Sequence, residues 1–296
     1  MGTPEFAVPS LKILIKNDFN LIGVITATDK KSGRGRKINY SPIKKIALNN
    51  DIPLFQPNNL KDPIFLDEIK SLNPDLFVVV AFRMLPELLI NIPKLGTINL
   101  HSSLLPNYRG AAPINWVIIN GEKETGVTTF FINKNIDEGD IIDSIKVKIH
   151  EGYSAGILHD KLMNIGAELV LKTVNNIFKN NFSRHKQMIS DKDKIAPKID
   201  KELCKINLNQ TSKEIIRLIK GLSPYPGAKL NFDNKNYKII DCKKSDVNYS
   251  NKSTMFVENN KLYFNNFKNE SIEILELQAE GKRIMKSSDF LRGNKL

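Results

Sequence analysis

The 296-residue chain is 41% hydrophobic and 26% charged, enough apolar material for about two globular domains. No run of about 18 apolar residues suggests a membrane-spanning helix, no secretory leader is visible at the N-terminus, and two cysteines, Cys204 and Cys242, are too few for a disulfide framework or a zinc cluster. The surplus of 44 Lys and Arg over 32 Asp and Glu gives a net charge of +12, which fits a polyanionic partner or the lysine enrichment of an AT-rich coding sequence.

Pro4 to Lys16 reads as a helix with proline in its first turn, and Leu21 to Thr26 as a short apolar strand. Thr28 to Tyr40 is a polar loop carrying Lys30, Lys31, Arg34, Arg36 and Lys37. Ser41 caps a helix containing Ile43, Ile46 and Ala47. A short strand at Pro53 to Gln56, a helix at Ile64 to Ser71 and a valine-rich strand at Asp75 to Ala81 follow. That valine run has the composition of a strand covered on both faces, as in parallel sheets. After a helix at Pro86 to Ile90 comes Gly96-Thr-Ile-Asn-Leu-His-Ser-Ser-Leu-Leu-Pro-Asn-Tyr-Arg-Gly-Ala-Ala-Pro113. Its opening strand, Thr97 to His101, places Asn99 and His101 on one face, because strand side chains alternate. The pair fits either a solvated polar strand end or a site in which the amide holds an oxyanion and the imidazole moves a proton. Crevices at the carboxyl ends of strands are where open α/β sheets bind ligands.

Beyond Pro113 the pattern gives a helix to Gly121, a β-branched strand from Thr125 to Ile132 and an acidic turn, Ile136-Asp-Glu-Gly-Asp140. A strand from Ile141 to Ile149 precedes a long helix, Ser154 to Lys179, with Ile157, Leu158, Leu162, Ile165, Leu169 and Val170 facing inward. His150 and His159 have no partner pattern and read as structural. Residues 181–200 lose periodicity and read as a basic linker. Ser212 then caps a helix ended by Gly221, and five short strands follow: Ala228 to Phe232, Tyr237 to Asp241, Thr254 to Val257, Lys261 to Phe264 and Ile272 to Leu277. The expected fold is a doubly wound, Rossmann-like α/β domain over residues 1–180, then a small OB-like barrel over 201–296, with Lys243 and Lys244 on its basic face.

Asn99, His101 and Asp137 become one constellation if the strand before Asp137 lies beside the Asn/His strand, since a carboxylate there can orient an imidazole. Asn-x-His-x-Ser-Leu-Leu-Pro followed by Asp-x-Gly-Asp resembles the folate-dependent formyltransferases. Arg109-Gly-Ala-Ala-Pro-Ile, Ser32-Gly-Arg-Gly-Arg-Lys37 and Gly221-Leu-Ser-Pro-Tyr-Pro226 resemble the members of that family that act on tRNA. The resemblance runs from Gly2 to about Gly293 and implies direct formyl transfer from 10-formyltetrahydrofolate to the α-amino group of methionyl initiator tRNA, without a metal or covalent intermediate. It implies that Asn99 holds the formyl oxygen, that His101 handles the proton and that Asp137 orients His101. It further implies a folate wall of Ser103, Leu104, Leu105 and Pro106, acceptor-stem contacts from Arg34, Arg36 and Lys37, and a C-terminal tRNA-binding domain. The two cysteines fit a reducing cytoplasm, and a monomer is expected. Taken alone, the Ser32–Lys37 loop also fits a solvated turn, since it lacks the strand-to-helix setting of a phosphate loop. Formylation of a small amine by the same trio, and an RNA-binding protein with a vestigial site, are the other readings.

Two departures stand out. The family places about five apolar residues, the first central strand, directly before Gly-Thr-Pro-Glu-Phe, whereas here Met1 stands before Gly2. The expectation is that the native chain begins upstream. Phe82-Arg83 also replaces a Tyr-Gly found in many relatives.

Overall fold

The computed structural model describes residues 1–32, 37–247 and 255–293. A 3-10 turn, Glu5–Ala7, leads into α1 (Val8–Lys16), β1 (Val24–Ile25), β2 (Lys30–Ser32), β3 (Lys37–Asn39), α2 (Pro42–Asn49) and β4 (Leu54–Phe55). Next come α3 (Pro63–Ser71), β5 (Phe77–Val80), α4 (Glu87–Ile90), β6 (Thr97–His101), β7 (Arg109–Gly110) and α5 (Pro113–Ile119). β8 (Glu124–Phe131), β9 (Ile141–Lys148), α6 (Ala155–Phe178), β10 (Ile195–Ala196) and α7 (Ser212–Leu222) follow. The chain finishes with β11 (Ala228–Phe232), β12 (Lys235–Lys244), β13 (Met255–Glu258), β14 (Lys261–Asn265), β15 (Ser271–Ala279), β16 (Met285–Lys286) and α8 (Ser287–Gly293). Among the described residues no helix is long and apolar enough to cross a membrane.

The helix starts follow capping chemistry. The Ser41 hydroxyl accepts from the Lys44 amide at 3.0 Å, and Asp62 accepts from Ile64, each just before a first-turn proline. At α7 the cap is Thr211, one residue earlier than expected: Thr211 and Glu214 bond reciprocally in a capping box, so Ser212 is already helical. Gly221 lies inside α7 rather than ending it. A Cβ there would sit 2.4 Å from the Ile119 side chain, so glycine serves the close approach of α5 and α7.

Two compact units divide the chain. The first comprises residues 1–110, 124–148 and 159–195, and the second 111–123, 149–158 and 196–296. In the first unit β1 pairs with β4 and β5 with β6, all parallel, as the alternating pattern predicts. β8 and β9 then extend the sheet antiparallel, in the order β5-β6-β8-β9. The short turn from β8 to β9 leaves no room for the crossover a parallel pair would need. Leu162 and Leu169 on α6 are fully buried here as expected.

Among the described residues the two parallel pairs do not join into one sheet. Among the described residues Met1 and Gly2 bridge them, where Gly2 N donates to Ile25 O and Val80 N donates to Met1 O. Beyond that bridge lies an apolar cavity of about 150 Å³, lined by Leu14, Ile22, Val24, Phe77 and Val78 among others.

In the second unit, helix α5 clusters with the C-terminal residues, and Asn115 Nδ2 donates to Gly221 O at 2.7 Å. Ile157, expected inward on the long helix, is instead 52% exposed, whereas its neighbour Leu158 is buried. An antiparallel sheet, β11-β12-β15-β14-β13 with β16 on β15, covers a core that includes Ile215, Ile219, Leu222, Ile239 and Phe264. Lys243 pairs with the buried Glu273 on the facing strand at 3.3 Å while its own side chain stays exposed. Cys204 and Cys242 are free buried thiols, and burial pushes the Cys242 thiol up to about 12.

The Met1 amine donates to Val78 O at 2.6 Å, and burial lowers it from an ordinary value of 8.0 to about 5. Between these values the unfolded chain holds a proton that the folded chain does not. Stability is therefore full above pH 8 and falls as pH drops toward 5, by up to about 4 kcal/mol. Urea unfolding of the 296-residue chain at pH 6 and pH 8 should differ by about 2 kcal/mol of that loss. A chain carrying about five apolar residues ahead of Met1 should unfold at a higher denaturant midpoint and lose this pH dependence. Equal midpoints for the two chains would contradict the account.

Candidate active site

Strand β6 delivers its residues as its alternation dictates. Ile98 and Leu100 are buried, His101 is 6% exposed, and Asn99 is half-buried. Among the described residues no protein group hydrogen-bonds the Asn99 side-chain amide. A partly exposed, unpartnered amide beside a buried imidazole is available to a carbonyl oxygen from outside.

The His101 ring is held by the chain that follows it. Its Nε2 lies 2.8 Å from the Tyr108 carbonyl, which can only accept, so Nε2 carries a proton. Nδ1 then faces the Asp137 carboxylate at 3.7 Å. The same Oδ2 of Asp137 accepts from the Gly110 amide at 2.9 Å, which fixes the carboxylate independently of the ring. Both side chains are well shielded, at 7% and 15% exposure. An imidazole and a carboxylate so placed can hold or pass one proton.

Two loops make this geometry. In the first, residues 102–108 curl back on the end of β6. Ser103 Oγ donates to Asn107 O at 2.6 Å, and Thr128 Oγ1 donates to Ser103 O at 2.7 Å. Tyr108 closes the loop with φ 61, in the left-handed region that non-glycine residues rarely occupy. In the second, residues 133–140 fold back along β8, so that Asp137 reaches His101 although β8 runs antiparallel to β6. Gly139 makes the fold-back possible, since a Cβ there would lie 1.6 Å from Phe131 O.

The four residues expected to wall a folate divide into two pairs. Ser103 is fully buried, with its hydroxyl committed to its own loop, and Leu105 is 9% exposed. Leu104 and Pro106 are half-buried, and Leu104 packs where a Cβ on Gly126 would meet it at 2.5 Å. Arg83 donates to the carbonyls of Pro57 and Asn58, tying the loop after β4 to the loop after β5. Of the basic trio, Arg34 and Arg36 lie outside the described residues, and only the main chain of Lys37 is described, as the start of β3. Among the described residues no group of three or more His, Cys, Asp or Glu is placed to hold a metal ion.

Sequence reasoning missed the Tyr108 carbonyl, a main-chain group that any residue type could supply. It also passed over residues 187–194, whose lost periodicity conceals their hydrogen bonds to both loops, among them Tyr108 N to Lys194 O at 2.5 Å.

A family model described as Formyl transferase matches residues 1–174, and one described as Formyl transferase, C-terminal domain, matches residues 198–295. The chain is 49% identical to the Methionyl-tRNA formyltransferase of Azobacteroides pseudotrichonymphae, a match covering 99% of this chain and 94% of that one. It is 48% identical to the protein of the same name from Flavobacterium johnsoniae, over 99% and 94% of the two chains. With that of Clostridioides difficile it shares 42% identity over 99% and 96%. In fold it is similar to an N-formyltransferase from Helicobacter canadensis solved with folinic acid and dTDP-3-aminofucose. That match has a TM-score of 0.69 at 23% identity, over 94% of this chain and 97% of that one.

Gly139→Ala should destabilise the protein by about 1–3 kcal/mol through overpacking. Thermal unfolding measures it, and an unchanged midpoint would contradict the close approach of loop 133–140 to β8.

Proposed function

The chain belongs to the formyl transferase family, and from that premise we propose that it formylates the α-amino group of methionyl initiator tRNA, with 10-formyltetrahydrofolate as donor. The observation that carries the reading is the unpartnered Asn99 amide beside the shielded His101–Asp137 pair, in a chain matched end to end by its tRNA-formylating relatives. The donor supplies a carbonyl carbon for attack by the methionyl amine, and the carbonyl oxygen takes on negative charge as the carbon becomes tetrahedral.

Asn99 donates from its side-chain amide to that oxygen, a contribution of about 3–4 kcal/mol for one such donor. His101 has Nε2 engaged by Tyr108, which leaves Nδ1 as the nitrogen that handles a proton. Asp137, held by the Gly110 amide, takes up or returns that proton as the amine loses one and the departing folate nitrogen gains one. Leu104 and Pro106, half-buried beside the strand end, give a flat pterin an apolar wall. Ser103 and Leu105 support that wall from within. The mechanism calls on no metal.

Arg34, Arg36 and Lys37 meet acceptor-stem phosphates, and the net charge of +12 draws the tRNA in. We place the activity in the cytoplasm, in a single chain whose C-terminal unit binds tRNA.

Incubation with 10-formyltetrahydrofolate and methionyl initiator tRNA should yield formyl-methionine on the tRNA, with none on free methionine or on a dTDP-amino sugar. Formylation of the amino sugar alone would replace this reading with the small-amine one, and tRNA binding without transfer would favour a vestigial site. Asn99→Ala should lower kcat about 100- to 1000-fold. If the three basic residues each neutralise one phosphate, KM for tRNA should rise about 40-fold between roughly 50 and 200 mM salt. A flat salt response would contradict those contacts.

A further inference from the structure

Gln187 lies in the aperiodic stretch between the two family matches, and its half-buried side chain reaches the loop that carries Asp137. Its Nε2 donates to Asp137 O and to Gly139 O, both at 2.8 Å. A primary amide nitrogen has two N–H groups, and both are used. Two carbonyl acceptors also fix which way round the amide sits, since its own oxygen cannot donate. Among the described residues that oxygen, Oε1, is buried without a partner. The side chain leaves one polar atom unsatisfied while holding two carbonyls on either side of Glu138.

The residue so held is an unusual one. Asp137 has φ 55, in the left-handed region, and sits at the tip of a fold-back that only Gly139 permits. Its carboxylate is aimed by the Gly110 amide, while its main chain is held by Gln187. Seven residues further on, the same stretch reaches the other loop: Lys194 N donates to Asn107 Oδ1 at 3.1 Å, and Lys194 O accepts from Tyr108 N. Asp193 also lies 3.6 Å from Arg109. One short segment thus touches the main chain of Asp137 and of Tyr108, the two residues that flank His101.

We propose that Gln187 is a positioning residue for formyl transfer, and that residues 187–194 form a strap holding both active-site loops in register. The proposal rests on the reading that His101 and Asp137 move the proton in that reaction. Gln187 touches no reacting atom and acts by keeping the Asp137 carboxylate facing Nδ1 of His101. Misplacing a catalytic group by about 1 Å lowers turnover by up to about 100-fold.

Gln187→Glu tests this with little change of shape, because it replaces two donors by an oxygen facing two carbonyls. The expected result is a fall in kcat of about 10- to 100-fold, with KM for tRNA and for the folate within about twofold of the parent. Gln187→Ala, which removes the donors without adding charge, should fall in the same direction and serves if the first variant folds poorly. In an Asp137→Asn background, Gln187→Glu should cost no more than about twofold further, because its effect passes through a carboxylate already removed. An impaired Asp137→Asn beside unimpaired Gln187 variants would overturn the strap alone, as would losses that multiply fully in the double variant or a change confined to KM. A fully active Asp137→Asn would overturn the assignment of Asp137 and, with it, this proposal.

Discussion

One hydrogen bond organises the candidate site: His101 Nε2 to the carbonyl of Tyr108, seven residues further along the same chain. For that carbonyl to arrive, the segment after β6 must reverse direction at once. The part-buried Ser103–Asn107 and buried Thr128–Ser103 bonds brace the reversal. The left-handed backbone at Tyr108 completes it. With Nε2 committed, the remaining ring nitrogen faces Asp137, whose own carboxylate is fixed by Gly110. The imidazole is therefore specified from both sides before any substrate enters, which is the preorganisation that proton transfer in a shielded site requires.

Much of this could be read from the residues. Period-two alternation puts Asn99 and His101 on one face, and β6 runs from Thr97 to His101 as expected. Ser41 before Pro42 marks a helix start because its hydroxyl answers an orphan amide. What escaped notice has a common character. The Tyr108 carbonyl and the amide of Gly110 are main-chain groups with no side-chain signature. Gly139 reads as an ordinary turn residue until Phe131 O is found where its Cβ would be. Gln187 sits in a stretch without periodicity, and periodicity is the signal by which elements are recognised. The close approach of helix α5 to α7 is hidden for a related reason. Its partner across Gly221 lies about 100 residues away in sequence, and only packing shows that a glycine inside α7 makes room for it.

The sheet of the first unit shows how separate stability and chemistry can be. β6, β8 and the two loops form a continuous hydrogen-bonded set, while the junction between β1 and β5 is held by Met1 and Gly2 beside an apolar cavity. Folding free energies are small differences between large terms, so apolar side chains left lining a cleft there weigh on the whole unit. The Asn99, His101 and Asp137 geometry lies at the other edge of β5 and does not include the cavity-lining side chains.

The central claim concerns a single proton on a single ring, and the chain has only four histidines, so the ring is accessible to assignment. Two-dimensional ¹⁵N–¹H spectroscopy of the imidazole nitrogens, with His101→Gln identifying the resonance, reports which nitrogen is protonated. The account predicts that neutral His101 carries its proton on Nε2, with a downfield, exchange-protected hydrogen bonded to the Tyr108 carbonyl. A neutral ring protonated on Nδ1, or one exchanging freely between both forms, would contradict it.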